Sequence, residues 1–167
     1  MTVLGSICRT LPAGMLVAVL VACGTGEPEP ATKSLSPEEQ ALADIVKMRR
    51  ANFKDLGAAF KAIGDELKAG RPSSTTVVFS IKSLNQYARD MENWFPEGSG
   101  PELGVKTDAK SEIWSDDAEF AQAMANFKAA VSDLTNDAED PATIPIRFQS
   151  AGKTCKACHD QFREEDR

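Results

Sequence analysis

The chain has 167 residues, which is enough for a single domain with its own hydrophobic core. Its 25 acidic residues outnumber its 19 basic residues, and the formal net charge is −6. No stretch combines basic residues with interleaved aromatic residues, so composition and charge argue against nucleic acid as a partner and favour basic partners or solubility alone.

The first 22 residues predict an export signal. They contain one basic residue, Arg9, no acidic residue and the apolar run LPAGMLVAVLVA. This run is too short to span a bilayer stably but is typical of a secretory signal peptide. Residues 20–24, LVACG, resemble the bacterial lipobox, in which leucine and small residues precede the cysteine that receives the lipid. We therefore predict a lipoprotein-type signal peptide at 1–22 with Cys23 as the lipid site; an ordinary signal peptide is the alternative.

Either signal predicts an exported protein, which we place in the bacterial periplasm and expect to contact a membrane only through an N-terminal lipid. Residues 23–35 are rich in proline, glutamate and threonine and predict a flexible tether. Residues 36–167 predict one folded domain, because no internal repeat divides them.

The folded domain begins with a long predicted helix. Ser36 is a good N-cap, Pro37 suits the first helical position, and Glu39 can close a capping box. Apolar residues then recur every three or four positions, the spacing of an amphipathic helix. They are Leu42, Val46, Phe53, Leu56, Phe60, Ile63 and Leu67. Arg49 lies within this apolar series, and residues 70–72, Gly-Arg-Pro, end the helix.

Three further helices are predicted, from Ser73-Ser74 to about Trp94, from about Ser115, and after Asp140-Pro141. Their predicted inward residues are Val78, Ile81, Leu84, Ala88 and Met91; Phe120, Met124, Phe127, Val131 and Leu134; and Ile144, Phe148, Ala151, Cys155, Cys158 and Phe162. No segment alternates with a period of two, so strands are not expected. The sequence predicts an all-α, antiparallel four-helix bundle, whose interior can hold a cofactor.

The strongest motif is C-K-A-C-H at residues 155–159, which contains the only histidine of the chain. The pattern C-x-x-C-H is typical of the attachment of a c-type haem. On a helix, cysteines three apart share one face and can each bond to one haem vinyl group, while the next side chain is directed at the iron. We predict one covalent haem c near the C-terminus, with Cys155 and Cys158 as thioether sites and His159 as the iron ligand.

Other interpretations of the motif are a redox dithiol, half of a zinc site, or a disulfide in a haem-free helical binding lipoprotein. A dithiol of the thioredoxin type requires a βαβ context, which is not predicted here. A zinc site requires two further cysteine or histidine ligands, which residues 36–167 do not contain. The ligand count therefore favours haem.

The group opposite His159 must come from an upstream helix, because residues 160–167 are too few to fold back over the iron. A second histidine is excluded, since the chain has only one. Methionine, lysine, water or no ligand at all are the remaining choices.

The ordered motifs of the chain resemble the cytochromes c′, a family of class II c-type cytochromes, from about Pro37 to Arg163. The resemblance rests on Lys47-Met48-Arg49, on Trp94-Phe95-Pro96, on Lys110 with Ile113-Trp114-Ser115-Asp116, and on Cys155-Lys156-Ala157-Cys158-His159 with Phe162 and Arg163. It implies a four-helix bundle with haem near the C-terminus. It also implies a candidate homodimer through the first two helices.

The resemblance implies roles for individual residues. His159 is the proximal ligand, and Arg163 lies beside its imidazole. Arg49 meets a haem propionate, and Phe53 faces the distal side of the iron. A guanidinium within an apolar series is costly without an anion, which supports the propionate contact, although Arg49 could instead extend its head group to the surface. Core packing is the other interpretation of Phe53.

A phenyl ring has no lone pair, so Phe53 predicts a five-coordinate iron. The resemblance then implies one-electron transfer with a redox partner protein, the binding of small diatomic gases such as NO or CO, or both. The alternative is a six-coordinate electron carrier ligated by Met48, Met91 or Met124, of which Met48 projects from a different helix face. We do not expect an enzyme, because the chain lacks a nucleophile and base pair.

Overall fold

The computed structural model describes residues 34–165. The elements in chain order are helix α1 (Pro37–Lys68), helix α2 (Thr75–Asp90), a 3₁₀ turn (Met91–Trp94), a second 3₁₀ turn (Pro101–Leu103), the short helix α3 (Glu112–Ser115), helix α4 (Asp117–Asn136) and helix α5 (Ile144–Phe162). Within the described part of the chain, β-type pairing is limited to one isolated bridge, between Ala109 and Arg163. The predicted signal peptide, Cys23 and most of the tether lie outside the described residues.

The start of α1 has the predicted capping box. Ser36 Oγ accepts a hydrogen bond from the backbone N–H of Glu39 at 3.2 Å, and a Glu39 carboxylate oxygen accepts one from the backbone N–H of Ser36 at 2.8 Å. Pro37 occupies the first turn, where its missing N–H costs nothing. Two of the N–H groups that a helix start leaves without intrahelical partners are thereby satisfied.

Replacement of Ser36 by alanine is expected to lower the free energy of unfolding by about 1 kcal/mol, the usual cost of losing a serine N-cap. Urea unfolding followed by circular dichroism measures this change. Ser34→Ala is the matched control, because Ser34 is exposed and lies before the helix. Equal stability of the two variants would contradict a contribution from the cap.

The four long helices pack consecutively, α1 on α2, α2 on α4, and α4 on α5. This arrangement confirms the predicted antiparallel four-helix bundle. The main core is formed by the apolar faces of these helices, with Ile63, Val77, Leu84, Val131 and Leu134 completely buried. None of the described helices is both long enough and apolar enough to cross a membrane.

Two details of the helices differ from the prediction. Val78 was predicted to face inward but is 55% exposed, whereas Val77 is completely buried. The buried face of α2 follows Val77, Ile81, Leu84 and Ala88, a run of spacings of four, three and four that Val78 does not fit. The predicted third helix begins at Asp117, close to the expected Ser115, but the short helix α3 before it was not predicted; Asp116, at φ −130° and ψ 58°, separates the two.

Helices α1 and α5 are joined by a stacked pair of rings. Phe60 and Phe148 have centroids 4.1 Å apart and planes inclined by 22°. Each ring lies over a glycine of the other helix: a Cβ atom on Gly64 would stand 3.2 Å from Phe148 Cζ, and one on Gly152 would stand 3.2 Å from Phe60 Cζ. The two glycines therefore allow the close approach of these rings.

Candidate haem-binding site

A cavity of about 540 Å³ is lined by the middle of α1 and the second half of α5, with further walls from the 107–109 segment and α4. Most of its lining is apolar and aromatic. The aromatic residues are Phe53, Phe60, Phe95, Phe120, Phe127 and Phe162. The cavity is also lined by the two cysteines and the histidine of the C-x-x-C-H motif, Cys155, Cys158 and His159. The fold thus opens a mainly apolar space beside the predicted attachment site.

The two cysteines lie on one face of α5 and line the cavity as free thiols. Burial raises the pKa of Cys155 to about 11, and the neighbouring Cys158 adds to this effect. Burial also raises the pKa of Cys158. Both thiols are therefore protonated at neutral pH, a state unlike the thiolates of reactive dithiols and zinc sites. Within residues 34–165 no group of three or more His, Cys, Asp or Glu side chains could hold a metal ion.

His159 lies in the last turn of α5 and lines the cavity. The residue is exposed overall, yet partial burial lowers the pKa of its imidazole, and the charge of Arg163 lowers it further against the opposing effect of Asp160. The neutral imidazole, which is the form that binds metals, is thus favoured at neutral pH.

Arg163 follows α5 directly and also lines the cavity. The backbone N–H of Arg163 donates to the carbonyl of His159 at 3.1 Å. Arg163 also forms the isolated β-bridge with Ala109. Two flanking backbone bonds extend this contact, from Lys110 N to the Phe162 carbonyl at 3.0 Å and from Glu164 N to the Asp108 carbonyl at 2.8 Å. The end of the haem-motif helix is therefore fixed to the 107–110 segment.

Arg49 is only 2% exposed, so its head group does not extend to the surface. Four hydrogen bonds to neutral oxygen atoms hold the guanidinium, which also lies 4.7 Å from the centroid of the Phe95 ring and 5.7 Å from that of Trp114. Burial lowers its pKa to about 10, against the opposing charge of Glu102. Arg49 is still protonated at neutral pH, and among the described residues no carboxylate is hydrogen-bonded to it.

Phe53 lies one turn after Arg49 and lines the same cavity. Its ring packs edge-on against Trp94, with centroids 5.2 Å apart and planes at 85°, and lies 6.1 Å from Phe95. Met91 and Met124 also line the cavity, whereas Met48 is 43% exposed and lies on another face of α1. The structure thus brings Phe53 and the C-terminal motif to one cavity, together with two of the three methionines.

The family sequence model described as Cytochrome C' matches residues 44–163. The chain belongs to the cytochrome c′ family. Among curated relatives, it is 39% identical to the cytochrome c′ of Alcaligenes xylosoxydans over 128 residues, covering 73% of this chain and 94% of that protein. It is 32% identical to the cytochrome c′ of Rhodospirillum rubrum over 126 residues, covering 74% and 84%.

Solved structures of cytochromes c′ have the same fold. The cytochrome c′ of Rubrivivax gelatinosus matches with a TM-score of 0.67 and 27% identity, over 74% of this chain and 97% of that one. The nitric oxide complex of a mutant cytochrome c′ from Alcaligenes xylosoxidans matches with a TM-score of 0.67 and 26% identity, over 75% and 97%.

Membership of the cytochrome c′ family identifies the cofactor: the protein carries covalently bound c-type haem, as the C-x-x-C-H motif predicted.

Gly57 in α1 is compatible with this cofactor, because the residue lines the cavity and a Cβ atom there would meet nothing within 4 Å. Glycine in the middle of a helix costs about 1 kcal/mol relative to alanine. Here it leaves open space at the cavity wall, and haem bound there would supply one-electron chemistry and a binding position for a small ligand.

Two residues of this cytochrome c′ were missed by the sequence analysis. Ser99, which is completely buried, and Thr107 both bond to the guanidinium of Arg49. They lie in the glycine- and proline-rich segment before α3, where no periodic pattern identifies inward positions. The only available signal was Arg49 itself, because a cation in an apolar series must have polar partners.

Proposed function

We propose that this cytochrome c′ is an exported haem protein whose five-coordinate iron binds small diatomic gases such as NO or CO, transfers one electron, or does both. Cys155 and Cys158 form the thioethers, and His159 is the proximal ligand. Phe53 carries the proposal, because it places an apolar ring with no lone pair on the cavity wall of α1. The nitric oxide and carbon monoxide complexes solved for mutants of the Alcaligenes xylosoxidans cytochrome c′ support gas binding.

The charged residues at the cavity have separate roles in this proposal. Arg49 donates to a haem propionate, which supplies the anion that its neutral protein partners do not. Arg163 lies beside the proximal imidazole and favours its neutral form, in agreement with the lowered pKa of His159.

The remaining parts of the proposal concern the whole chain. The protein is a lipoprotein of the bacterial periplasm, with residues 1–22 as its signal peptide, Cys23 as its lipid site and residues 23–35 as a tether to the domain at 36–167. It is a binding or redox protein with a partner protein, and not an enzyme. Exposed apolar side chains on α1 and α2, those of Met48, Val78 and Phe79, support a homodimer through these helices.

A six-coordinate electron carrier is the second candidate, because Met91 and Met124 both line the cavity. A methionine ligand requires its sulfur to reach the distal iron position that the proposal assigns to the ring of Phe53. Met91 is 6% exposed and belongs to the main core, a common position for a methionine that fills space.

Absorbance spectra of the purified protein in both oxidation states separate the two candidates. We expect a high-spin ferric spectrum, followed by clear spectral changes when the ferrous protein is titrated with CO or NO. A long-wavelength band from methionine ligation would contradict the five-coordinate site. A ferrous protein that does not respond to either gas would contradict gas binding, while leaving electron transfer as the function.

A further inference from the structure

The guanidinium of Arg49 has five N–H donors, and protein oxygen atoms accept from four of them. Nη1 donates to the Trp94 carbonyl at 3.2 Å and to Ser99 Oγ at 3.1 Å. Nη2 donates to the Ser99 carbonyl at 2.9 Å and to Thr107 Oγ1 at 3.1 Å. Among the described residues nothing accepts from Nε–H. Because Arg49 lines the cavity, its Nε–H is left as a donor for a group that binds in the cavity.

These four bonds determine the direction in which the remaining donor points. A guanidinium is planar and rigid, so fixing both terminal nitrogen atoms fixes the orientation of Nε–H as well. The acceptors come from the 3₁₀ turn after α2, through Trp94, and from the segment that precedes α3, through Ser99 and Thr107. Because all of them are neutral, the positive charge of Arg49 acts on the cavity without a direct ion pair.

Thr107 differs from the other partners, because it also connects Arg49 to the end of α5. Its hydroxyl oxygen accepts from the backbone N–H of Ala109 at 3.2 Å in addition to Arg49 Nη2. Ala109 in turn forms the bridge with Arg163, four residues after the proposed iron ligand. A single hydroxyl therefore links the arginine of α1 to the strand-like segment that fixes the haem-motif helix.

We propose that Thr107 is a positioning residue for the haem: its hydroxyl holds Arg49 with Nε–H directed at a haem propionate, and this placement raises the reduction potential. The proposal rests on the assignment of Arg49 to a propionate given above. A fixed cation beside the cofactor favours the reduced state, because ferrous haem carries one positive charge less than ferric haem. The effect is strong in an apolar cavity, where water screens charge poorly.

The test compares Thr107→Val with Thr107→Ser in the full-length haem protein. Valine keeps the shape of threonine and removes the acceptor, whereas serine keeps the acceptor. We expect spectroelectrochemical titration to give a lower reduction potential for Thr107→Val and a nearly wild-type potential for Thr107→Ser. Thermal unfolding of the same variants measures any structural effect separately, and Thr107→Ala replaces the valine variant if the latter does not fold.

Arg49→Gln is the reference variant that tests the underlying assignment. If it leaves the potential unchanged, Arg49 does not act on the haem, and both the propionate contact and the role of Thr107 are wrong. If Arg49→Gln lowers the potential but Thr107→Val does not, the propionate contact stands and the positioning role is overturned. A Thr107→Val protein with a lower unfolding temperature and an unchanged potential would give Thr107 a purely structural role.

Discussion

Replacement of both Cys155 and Cys158 by serine is expected to abolish covalent haem attachment. A serine hydroxyl is a poor substitute for a thiol in the addition to a vinyl group, and the chain has no other cysteine within the described residues. A haem stain on a denaturing gel measures the result, because only covalently bound haem remains on the polypeptide. We expect a stained wild-type band and an unstained double variant of the same size.

The single variants Cys155→Ser and Cys158→Ser serve as graded controls for this experiment. Each retains one thiol on the cavity wall, so each is expected to keep some stain and to show the absorbance shift of one unreacted vinyl group. Ser150→Ala, at an exposed position of α5, controls for changes to the helix itself. An unstained wild-type protein would favour the haem-free lipoprotein, and a stained double variant would overturn the assignment of the two thioethers.

Replacement of Phe53 by alanine is expected to accelerate CO binding to the ferrous protein about tenfold, which corresponds to a barrier lower by about 1.4 kcal/mol. In the proposed site, an incoming ligand must displace a ring that packs edge-on against Trp94 at 5.2 Å, and such aromatic pairs contribute about 1 kcal/mol beyond simple burial. Stopped-flow or flash-photolysis measurements give the association rate directly.

Phe60→Leu is the matched control, because Phe60 also lies on α1 and lines the cavity but stacks on Phe148. It is expected to lower stability without accelerating CO binding. Phe53→Met supplies the opposite change, since its thioether can bind the iron, and we expect a low-spin spectrum and slower gas binding. Equal CO rates in the wild type and Phe53→Ala would show that the ring does not limit access to the iron.

The sequence predicted those parts of the molecule that depend on local pattern. The capping box at Ser36, the four long helices and the C-x-x-C-H motif all follow from residues that are close in the chain. The place of Arg49 within an apolar series of regular spacing was also visible, but the burial of its head group is a finding of the structure. Val78 shows the limit of this approach, since two adjacent valines are equally apolar and only the packing of α2 selects Val77.

The partners of Arg49 could not be predicted in the same way. Ser99 and Thr107 lie 50 and 58 residues away in the chain, in a segment without helical periodicity. Their contribution arises only when the end of α2 and the segment before α3 fold over α1. The cavity that results combines residues from all of these segments, so its shape is a property of the assembled bundle.

The two attachments between the cavity walls have a mechanical consequence. The Phe60–Phe148 stack joins α1 to α5, and Thr107 together with the Ala109–Arg163 bridge connects α1 to the residue directly after α5. The cavity that would hold the haem is thus bordered by two attachments between these helices, and we expect the helices to stay at a constant separation during ligand binding. Discrimination between gases would then depend on movement of the Phe53 ring alone. Amide hydrogen exchange along α1 and α5 would accordingly be the same in the free and the gas-bound protein.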